Sequence, residues 1–346
     1  MKKISVAVLG ATGTVGQKFI HLLRSHPYFV VKEVVASPRS AGKRYEDACK
    51  WKQDDFIPED IRNLTVKSTE EELESPVLFS GLDSSIAGPV EEKYAEAGHY
   101  VISNSKNHRM VKNVPLVIPE INPEHLDIVK DQSYKGGIIT NSNCSTMFLA
   151  MVLAPLHKAF GIKRVQVTTM QAISGAGYPG VASMDILGNV VPYISGEEEK
   201  LEVEAQKILG SVQNGKIISA DFTVSAQCNR VPVFDGHMET LSIEFDQKPS
   251  VEEVKKTLAE FTGYPQEAQL PFAPDKPIYV FEQPDRPQPA RDYMKGNGMV
   301  TFVGRVRECS VLDIKMVILG HNTIRGAAGA AILNAETMYT KGLLPV

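Results

Sequence analysis

One stretch near the start of this 346-residue chain limits the folds available to it. Residues 4–9, ISVAVL, form an apolar run that suits a strand buried on both faces. The glycine-rich segment GATGTVG follows at once, and then QKFIHLLRS, whose apolar positions have helical spacing. This order predicts a strand, a tight turn and a helix, which together form the first unit of a parallel α/β sheet.

The glycines of that turn, Gly10, Gly13 and Gly16, have the spacing G-x-x-G-x-x-G, a variant of the dinucleotide-binding pattern. Because glycine lacks a side chain, backbone N–H groups in such a turn can approach a pyrophosphate at the helix N-terminus. We therefore expect a dinucleotide cofactor to contact these glycines and their neighbours Thr12, Thr14 and Val15. A tight turn in another kind of α/β protein is the alternative.

The end of the second predicted strand, 30–37, indicates which dinucleotide binds. An NAD site usually carries Asp or Glu there to hold the ribose 2′-hydroxyl. This chain instead has Ser37, Arg39 and Ser40, whose hydroxyls and guanidinium suit a 2′-phosphate, while Glu33 inside the strand is a weaker candidate for the ribose. Together with the glycine turn, these residues predict NADP. Taken alone, the segment also fits a solvated loop.

Strands and helices continue to alternate after this point. VLFSGLD (77–83) and YVISNS (100–105) are predicted strands, and a helix over 89–97 lies between them. The alternation predicts a doubly wound parallel sheet, in which ligands bind at the carboxyl ends of the strands. Ser80, Gly81, Ser103 and Asn104 are therefore expected on the rim that faces the cofactor.

A cysteine occupies the junction between the next strand and helix, in IITNSNCSTMFLAMVLAPLH (138–157). Ile138, Ile139 and Thr140 favour a strand, and an apolar helix follows with Asn143 or Ser142 as its N-cap. The Cys144 sulfur would then face the positive end of the helix, where a thiolate is favoured. The position predicts a nucleophile.

The pattern changes in the second half of the chain. Segments 163–177, 219–233, 238–245, 299–309 and 311–318 alternate like strands with one open face, and helices are predicted over 197–210 and 251–261. We therefore predict an α/β protein in which a Rossmann-like doubly wound sheet, 1–142, precedes an α+β catalytic and dimerisation domain with a mixed or antiparallel sheet, 143–321. A last helix, 322–341, is expected to pack back onto the first domain.

A cysteine nucleophile needs a partner for proton transfer, and three histidines are candidates for that role. His157 ends an apolar helix and is interpreted as structural, and His321 is ambiguous. His237 lies in CNRVPVFDGHMETL, where two strands meet, with Arg230 seven residues earlier. A turn histidine is mostly a solvated surface residue, but an arginine nearby could hold a carboxylate while the histidine handles the proton.

Composition excludes several classes of protein. A net charge of −4 gives no basic surplus for nucleic acid, and the apolar runs are too short to span a membrane. The segment MKKISVAVLGATG is interpreted as a first strand, not a signal peptide. The four cysteines lack metal-ligand spacing, which predicts no metal site and fits a reducing cytoplasm.

Four motifs in this order resemble the aspartate-β-semialdehyde dehydrogenases, in particular their archaeal and fungal branch. They are the N-terminal fingerprint, SNCST, QAISGAG and RVPVFDGH, and the resemblance covers almost the whole chain. It implies that Cys144 forms an acyl-thioester, that His237 is the general acid and base, and that Asn143 positions the thiohemiacetal.

The resemblance also implies the groups that bind substrate and cofactor. Gln171 orients the substrate and Arg230 holds its carboxylate. Glu197 binds the amino group, and Lys200 with Arg109 binds the phosphate. Ser174, Gly175 and Asn322 are expected near the nicotinamide. Without the resemblance, the charged run that contains Glu197 would be interpreted as a solvated helix face.

The implied reaction is the reversible, NADPH-dependent reduction of L-4-aspartyl phosphate to aspartate semialdehyde and phosphate. It belongs to the biosynthesis of lysine, threonine, methionine and isoleucine. A malonyl-CoA reductase is the main alternative, and an N-acetyl-glutamyl-phosphate reductase or a noncatalytic NADP-binding sensor fits less well. The family implies a homodimer or homotetramer, with no nucleic-acid partner.

Overall fold

The protein is described from a computed structural model covering residues 3–345. Its first elements follow the predicted order of strand, glycine turn and helix. Gly10 adopts φ +75°, and a Cβ on Gly16 would lie 2.2 Å from the Gly10 carbonyl oxygen. Only glycine allows so close an approach of the turn to the helix. The first helix therefore begins directly above the end of the first strand.

Residues 4–140 form the first half of the fold. Its elements are β1 (Ile4–Leu9), α1 (Thr14–Leu23), β2 (Phe29–Val35), α2 (Tyr45–Ala48), α3 (Glu59–Arg62), β3 (Val77–Ser80), α4 (Ser84–Ala97), β4 (Tyr100–Ser103), a 3₁₀ segment (Pro123–Asp131) and β5 (Gly137–Thr140). The strands pair in parallel in the order β2-β1-β3-β4-β5. This is the predicted doubly wound sheet.

The second half begins with the helix that follows β5. Its elements are α5 (Cys144–Phe160), β6 (Ile162–Gln171), a 3₁₀ turn (Ile173–Ala176), α6 (Ser183–Ile186), α7 (Glu198–Ile208), β7 (Ser211–Gln213), β8 (Lys216–Ile218), β9 (Thr223–Arg230), β10 (His237–Phe245), α8 (Val251–Ala259), α9 (Tyr264–Glu267), β11 (Ile278–Val280), α10 (Pro289–Asp292), a 3₁₀ turn (Lys295–Gly298), β12 (Thr301–Glu308), β13 (Ile314–Gly320), a π-helical turn (Ile324–Ala328) and α11 (Gly329–Thr340).

A six-stranded mixed sheet organises this half, in the order β11-β12-β13-β10-β6-β9. Its central pairs are antiparallel, whereas β6 pairs with β9 and β11 with β12 in parallel. The predicted combination of a parallel first sheet with a mixed second sheet is confirmed. The last helix begins as a π-helical turn and not as the continuous α-helix predicted, and Ala331, Ile332, Ala335 and Met338 join the core of the first sheet.

Helix α5 covers one face of the mixed sheet, and this face carries two polar rows. Gln171 pairs with Arg230, and Met170 pairs with Met238. Because β6 and β10 are antiparallel, the residue before Met238, His237, lies beside Gln171. Two pairs further along, and so on the same face of the sheet, Glu239 faces Thr169, which in turn faces Cys228. Since directly opposed residues share a face of the sheet, both rows point toward α5. The register thus places histidine, glutamine and arginine below the start of the helix.

Candidate active site

Cys144 is the first residue of α5, as its sequence context predicts. The N-cap is Asn143, whose side-chain oxygen accepts the N–H groups of Ser145 at 2.9 Å and Thr146 at 3.3 Å. The π-helical turn approaches Cys144 so closely that a Cβ on Gly326 would lie 2.8 Å from the cysteine Cβ. The nucleophile candidate is therefore held by both its own helix and the chain that returns from the mixed sheet.

The prediction that Cys144 rests as a thiolate is wrong. Burial and the Glu197 carboxylate raise the pKa of the Cys144 thiol to about 12, and the opposing charges of Arg230, Arg109 and Lys200 do not offset them. The helix terminus is a local effect, whereas burial and Glu197 come from the tertiary fold. The cysteine therefore rests as a thiol, and thiolate formation belongs to the step in which substrate is attacked.

His237 is fully buried and its ring is held in one tautomer. Its Nδ1 accepts the backbone N–H of Ala172 at 3.0 Å, so the proton of a neutral ring lies on Nε2. Burial and the Arg230 charge lower the pKa of His237 to about 3, which keeps the ring neutral at physiological pH. Within residues 3–345, Nε2 has no hydrogen-bond partner. It is a proton donor available to a bound substrate.

Arg230 lies beside this histidine and is oriented by the loop after β6. Its Nη1 donates to the Ala172 carbonyl at 2.7 Å, and Ala172 is the residue whose N–H holds His237. Gly175 leaves space for both side chains, because a Cβ there would lie 2.8 Å from Arg230 Nη1 and 3.0 Å from His237 Nε2. The predicted carboxylate and proton-transfer groups are thus neighbours across one glycine.

The Glu197 carboxylate binds the side chains of three other predicted site residues. Its carboxylate accepts from Asn143 Nδ2 at 2.9 and 3.1 Å, from Gln171 Nε2 at 3.0 Å and from Lys200 Nζ at 2.5 Å. Although burial opposes ionisation, the Lys200 charge and these hydrogen bonds lower the pKa of Glu197. The carboxylate is therefore ionised and gives the site a fixed negative charge.

Arg109, the second predicted phosphate ligand, is linked to Asn143 of this cluster through Glu204. Its Nη1 pairs with Glu204 at 2.9 Å and its Nη2 donates to the Asn104 carbonyl at 2.7 Å. Sequence reasoning missed Glu204, which is buried between Arg109 and Asn143. The spacing of Glu204 from Glu197 along one helix face was the available signal.

The glycine turn matches the geometry that a pyrophosphate requires. Gly13 precedes α1 as its N-cap, and no side chain caps the first turn of that helix. The turn also packs against Gly81, since a Cβ on Gly10 would lie 2.7 Å from the Gly81 carbonyl oxygen. The backbone of residues 10–16, with Thr12, Thr14 and Val15, therefore forms an open cradle at a positive helix end.

Ser80, Ser103 and Asn104 occupy the predicted rim, but their side chains face the protein interior. The hydroxyls of Ser80 and Ser103 both donate to Glu91, at 2.6 and 2.8 Å. Asn104 donates to the Ser80 carbonyl and accepts from Asn141. The serine hydroxyls are therefore already used by a buried carboxylate, and contact of Ser80, Ser103 and Asn104 with the cofactor stays a prediction. Gly81 remains at the rim.

The loop after β2 leaves the predicted 2′-phosphate ligands accessible. Ser37 and Arg39 are exposed and Ser40 is half-buried. Glu33 is not available for a ribose, because its carboxylate accepts from Lys67 Nζ at 2.8 Å and from the backbone N–H groups of Glu74 and Ser75. The acidic alternative on this strand is therefore excluded by its own hydrogen bonds.

A cleft of about 300 Å³ connects this cradle with the loop that carries Ser174. Asn322 donates to Oγ of Ser174, a residue that lines the cleft, at 2.8 Å, while its Oδ1 accepts the Gly236 N–H at 2.9 Å. Asn322 therefore holds the turn before His237. Sequence reasoning missed Lys18, Lys52, Tyr178 and Asp235, which line the same cleft. No local motif marks them, because the chain folds them together from separate elements.

Glu239 is a second buried acid that the sequence did not reveal. It is 0% exposed, and within residues 3–345 neither carboxyl oxygen has a hydrogen-bond partner. Burial, with a smaller contribution from the Glu197 charge, raises the pKa of Glu239 well above its ordinary value. The acid is therefore protonated beneath the site.

The Glu239 acid makes the protein less stable as the pH rises. The unfolded chain ionises this group above pH 4.5 while the folded protein keeps the proton, so its stabilisation is complete below that pH and declines above it. Glu239→Gln, which cannot ionise, is expected to gain up to about 1.4 kcal/mol over wild type per pH unit above that point. Urea unfolding at pH 5 and pH 8 measures this gain, with exposed Glu260→Gln as the control. An equal difference at both pH values would contradict a buried neutral acid.

Two further features bear on the class of protein. Among residues 3–345, no helix is long and apolar enough to cross a membrane. The same residues contain no group of three or more His, Cys, Asp or Glu side chains arranged to hold a metal. The fold and the site together define a dehydrogenase class of protein, with a dinucleotide cradle in the first half and, in the second, a half-buried cysteine at a helix start with a buried histidine and arginine.

Comparison with known proteins identifies the particular family. The family model described as semialdehyde dehydrogenase, NAD binding domain, matches residues 5–129, and the one described as semialdehyde dehydrogenase, dimerisation domain, matches residues 153–325. The chain is 50% identical to aspartate-semialdehyde dehydrogenase from Schizosaccharomyces pombe, over 98% of this chain and 99% of that protein. It is 47% identical to the enzyme of the same name from Archaeoglobus fulgidus, over 99% of this chain and all of that one.

A solved structure agrees with these relatives. The crystal structure of aspartate semialdehyde dehydrogenase with NADP from Candida albicans superposes with a TM-score of 0.92 at 48% identity, covering 99% of this chain and 100% of that chain. The chain therefore belongs to the aspartate-semialdehyde dehydrogenase family, and the predicted resemblance to its fungal and archaeal members is confirmed.

Proposed function

We propose that this protein catalyses the reversible NADPH-dependent reduction of L-4-aspartyl phosphate to L-aspartate 4-semialdehyde and phosphate. Family membership supports the reaction, and the site supplies the groups that it needs. The observation that carries the assignment is the convergence of Cys144, His237 and Arg230 with the Glu197 cluster at the start of α5. A noncatalytic sensor would need none of these groups beyond the cofactor cradle.

The chemistry assigns a role to each group around the substrate. The Cys144 sulfur forms a bond to the acyl carbon, the bond from that carbon to the phosphate oxygen breaks, and the thiol proton passes to the departing phosphate. Arg230 holds the α-carboxylate, Glu197 with Gln171 holds the amino group, and Lys200 with Arg109 receives the phosphate. Two separated cationic positions suit a substrate with two anionic ends.

NADPH supplies the hydride that reduces the thioester carbonyl carbon, and Gly10, Gly13 and Gly16 would hold its pyrophosphate. Asn143 and the Nε2–H of His237 stabilise the oxyanion of the resulting thiohemiacetal. The oxyanion lone pair then re-forms the carbonyl, the carbon–sulfur bond breaks to release the aldehyde, and the Cys144 thiolate takes up the solvent proton that the overall reduction consumes. Neutral His237 suits this task, because its Nε2 carries a proton before the charge develops.

The decisive assay follows NADPH formation spectrophotometrically with aspartate semialdehyde, phosphate and NADP. The expected result is turnover that requires phosphate, because phosphate must release the acyl group from Cys144. Malonyl-CoA with NADPH tests the main alternative, a reductase that uses the same cysteine and histidine. Turnover of malonyl-CoA without phosphate-dependent oxidation of aspartate semialdehyde would overturn the assignment.

Arg39 tests the cofactor proposal. Its exposed guanidinium follows β2, where Glu33 is already used by Lys67. Arg39→Ala is expected to raise the KM for NADP about tenfold, the effect of losing a charge-assisted hydrogen bond of about 1.4 kcal/mol, while the KM for NAD changes little. Steady-state kinetics with both cofactors measure the two values. Equal effects on NADP and NAD would remove Arg39 from the 2′-phosphate site.

The architecture supports different functions for the two halves of the chain, cofactor binding in the first and catalysis in the second. Residues 1–142 would bind NADP, residues 143–321 would supply the catalytic groups, and the last helix, 322–341, would join the first domain. The match to a dimerisation domain supports a homodimer or homotetramer that forms through the second half. A biosynthetic role in the aspartate pathway fits a cytoplasmic enzyme, and sedimentation of the purified protein tests the assembly.

A further inference from the structure

Helix α7 and its N-cap present a row of four charged side chains to the interior. Glu197, Lys200, Glu204 and Lys207 follow one another at intervals of three or four residues, which places them on one face of the helix. Glu197, Glu204 and Lys207 are buried, and Lys200 is half-buried. Charged side chains are rarely buried without partners. The contacts of these four side chains therefore show which parts of the protein helix α7 holds in place.

Glu204 contacts two different parts of the proposed site. One carboxylate oxygen accepts Nη1 of Arg109 at 2.9 Å, and the other accepts the backbone N–H of Asn143 at 2.7 Å. Asn143 is the N-cap immediately before Cys144. A single carboxylate, 2% exposed, therefore joins a phosphate ligand to the point where the nucleophile's helix begins.

The same helix fixes the backbone of Arg109. Lys207 Nζ donates to the carbonyl oxygens of Arg109, Val111 and Val114 at 2.5, 2.7 and 2.8 Å. Arg109 Nη2 is held by the Asn104 carbonyl, and its buried Nε has no partner within residues 3–345. Arg109 is thus oriented from two sides, and its Nε–H can donate to an oxyanion.

We infer that Glu204 is a positioning residue that sets the distance between the phosphate-binding Arg109 and the helix that carries Cys144. The inference rests on the phosphate role proposed for Arg109. In the reaction, phosphate leaves the same carbon that the sulfur attacks, so the two groups must keep a fixed separation. A carboxylate bonded to both elements provides that constraint, and no conformational change is needed to assemble it.

Glu204→Gln tests the inference, because the amide keeps the shape and removes the charge that holds Arg109. Displacing a reacting group by about 1 Å costs about 10²-fold in rate, so we expect kcat/KM for phosphate to fall by about that factor. The KM for NADP should stay within about twofold, because the cofactor cradle lies on other elements. Glu199→Gln, on the exposed face of the same helix, is the matched control and should resemble wild type.

Alkylation by iodoacetamide gives a readout that general destabilisation would not produce. In Glu204→Gln the Arg109 charge loses its counter-charge and favours the Cys144 thiolate, so the alkylation profile of Cys144 shifts to lower pH. Alkylation of the half-buried Cys309 measures the reactivity of the reagent at each pH, and alkylation of the buried Cys49 and Cys228 measures unfolding. If Glu204→Gln fails to fold, Glu204→Asp keeps the charge but is too short for both contacts, and should show the same loss with phosphate.

Arg109→Lys tests the proposed phosphate-binding role of Arg109 separately from the positioning role inferred for Glu204. Lysine keeps a positive charge beside Glu204 but cannot reproduce the guanidinium contacts, so the KM for phosphate should rise while the Cys144 alkylation profile stays close to wild type. The double variant with Glu204→Gln should lose less than the product of the two single effects. An unchanged phosphate KM in Arg109→Lys would overturn the phosphate role. A raised KM there, with wild-type phosphate kinetics and alkylation in Glu204→Gln, would overturn the inference alone.

Discussion

Cys144→Ser is expected to lose turnover by about 10⁴-fold or more, the scale on which covalent enzymes respond to loss of their nucleophile. A serine alkoxide forms far less readily than a thiolate, and the ester it would make accepts a hydride less readily than a thioester. The loss should appear in kcat, whereas NADP binding measured by fluorescence titration should remain, because the cradle lies on β1 and α1.

Cys309→Ser is the matched control for this prediction. Cys309 is half-buried in the turn after β12, and its thiol interacts with Ser242 and the Leu312 N–H, outside the candidate site. These contacts lower the pKa of Cys309, although burial opposes them. Cys309→Ser should retain activity and Cys144→Ser should not. Substantial turnover in Cys144→Ser would remove the acyl-thioester from the mechanism.

The resting protonation state of Cys144 changes what labelling can show. Since burial and Glu197 raise the pKa of Cys144 to about 12 and the pKa of Cys309 is lowered, we expect Cys309 to be alkylated before Cys144 in the free protein near neutral pH. The helix terminus alone would favour the opposite order, because it stabilises a thiolate at Cys144. Identification of the nucleophile therefore requires trapping of the acyl-enzyme by rapid quench with labelled substrate, followed by peptide mapping.

Local sequence patterns predicted the parts of the fold that depend on near neighbours. The first strand, its glycine turn and its helix are adjacent in the chain, so Gly10 and Gly16 indicate the backbone geometry directly. The start of α5 was predicted for the same reason, because Asn143 caps the two N–H groups that follow Cys144. The sequence pattern predicts helix α4 only over 89–97, which is too short: the helix begins at Ser84, after its N-cap Asp83, and contains Pro89.

Contacts between distant segments could not be predicted in this way. Glu91 accepts hydrogen bonds from Ser80 and Ser103, and Glu204 accepts hydrogen bonds from Arg109 and Asn143. Both sets of contacts form only because the fold brings separate elements together. The roles of His237 and Arg230 were predicted from the resemblance to a family. Their relative position depends on Ala172, whose N–H and carbonyl group bind the two side chains. Ionisation was the least accessible property, because it depends on burial and on charges from several elements.

His237 is the residue whose role follows most directly from its protonation state. His237→Ala is expected to lower kcat by roughly 10²–10⁴-fold, the usual contribution of a positioned proton donor. His237→Gln can donate a hydrogen bond but no proton, so its activity should lie between those of Ala and wild type. Both variants should still bind NADP and should accumulate acyl-enzyme in a rapid-quench experiment, because the defect follows attack by Cys144.

The pH dependence distinguishes a neutral His237 from a charged one. Its lowered pKa of about 3 means that the imidazolium forms only as the pH falls toward that value, so this ring keeps one charge state between pH 5 and pH 9. Any limb of the kcat/KM profile in that interval then belongs to another group and should persist in His237→Gln. A wild-type acid limb near pH 6–7 that disappears in His237→Gln would show that the ring titrates there. In that case the Ala172 N–H would not hold Nδ1 as an acceptor during the reaction, and His237 would act first as a base.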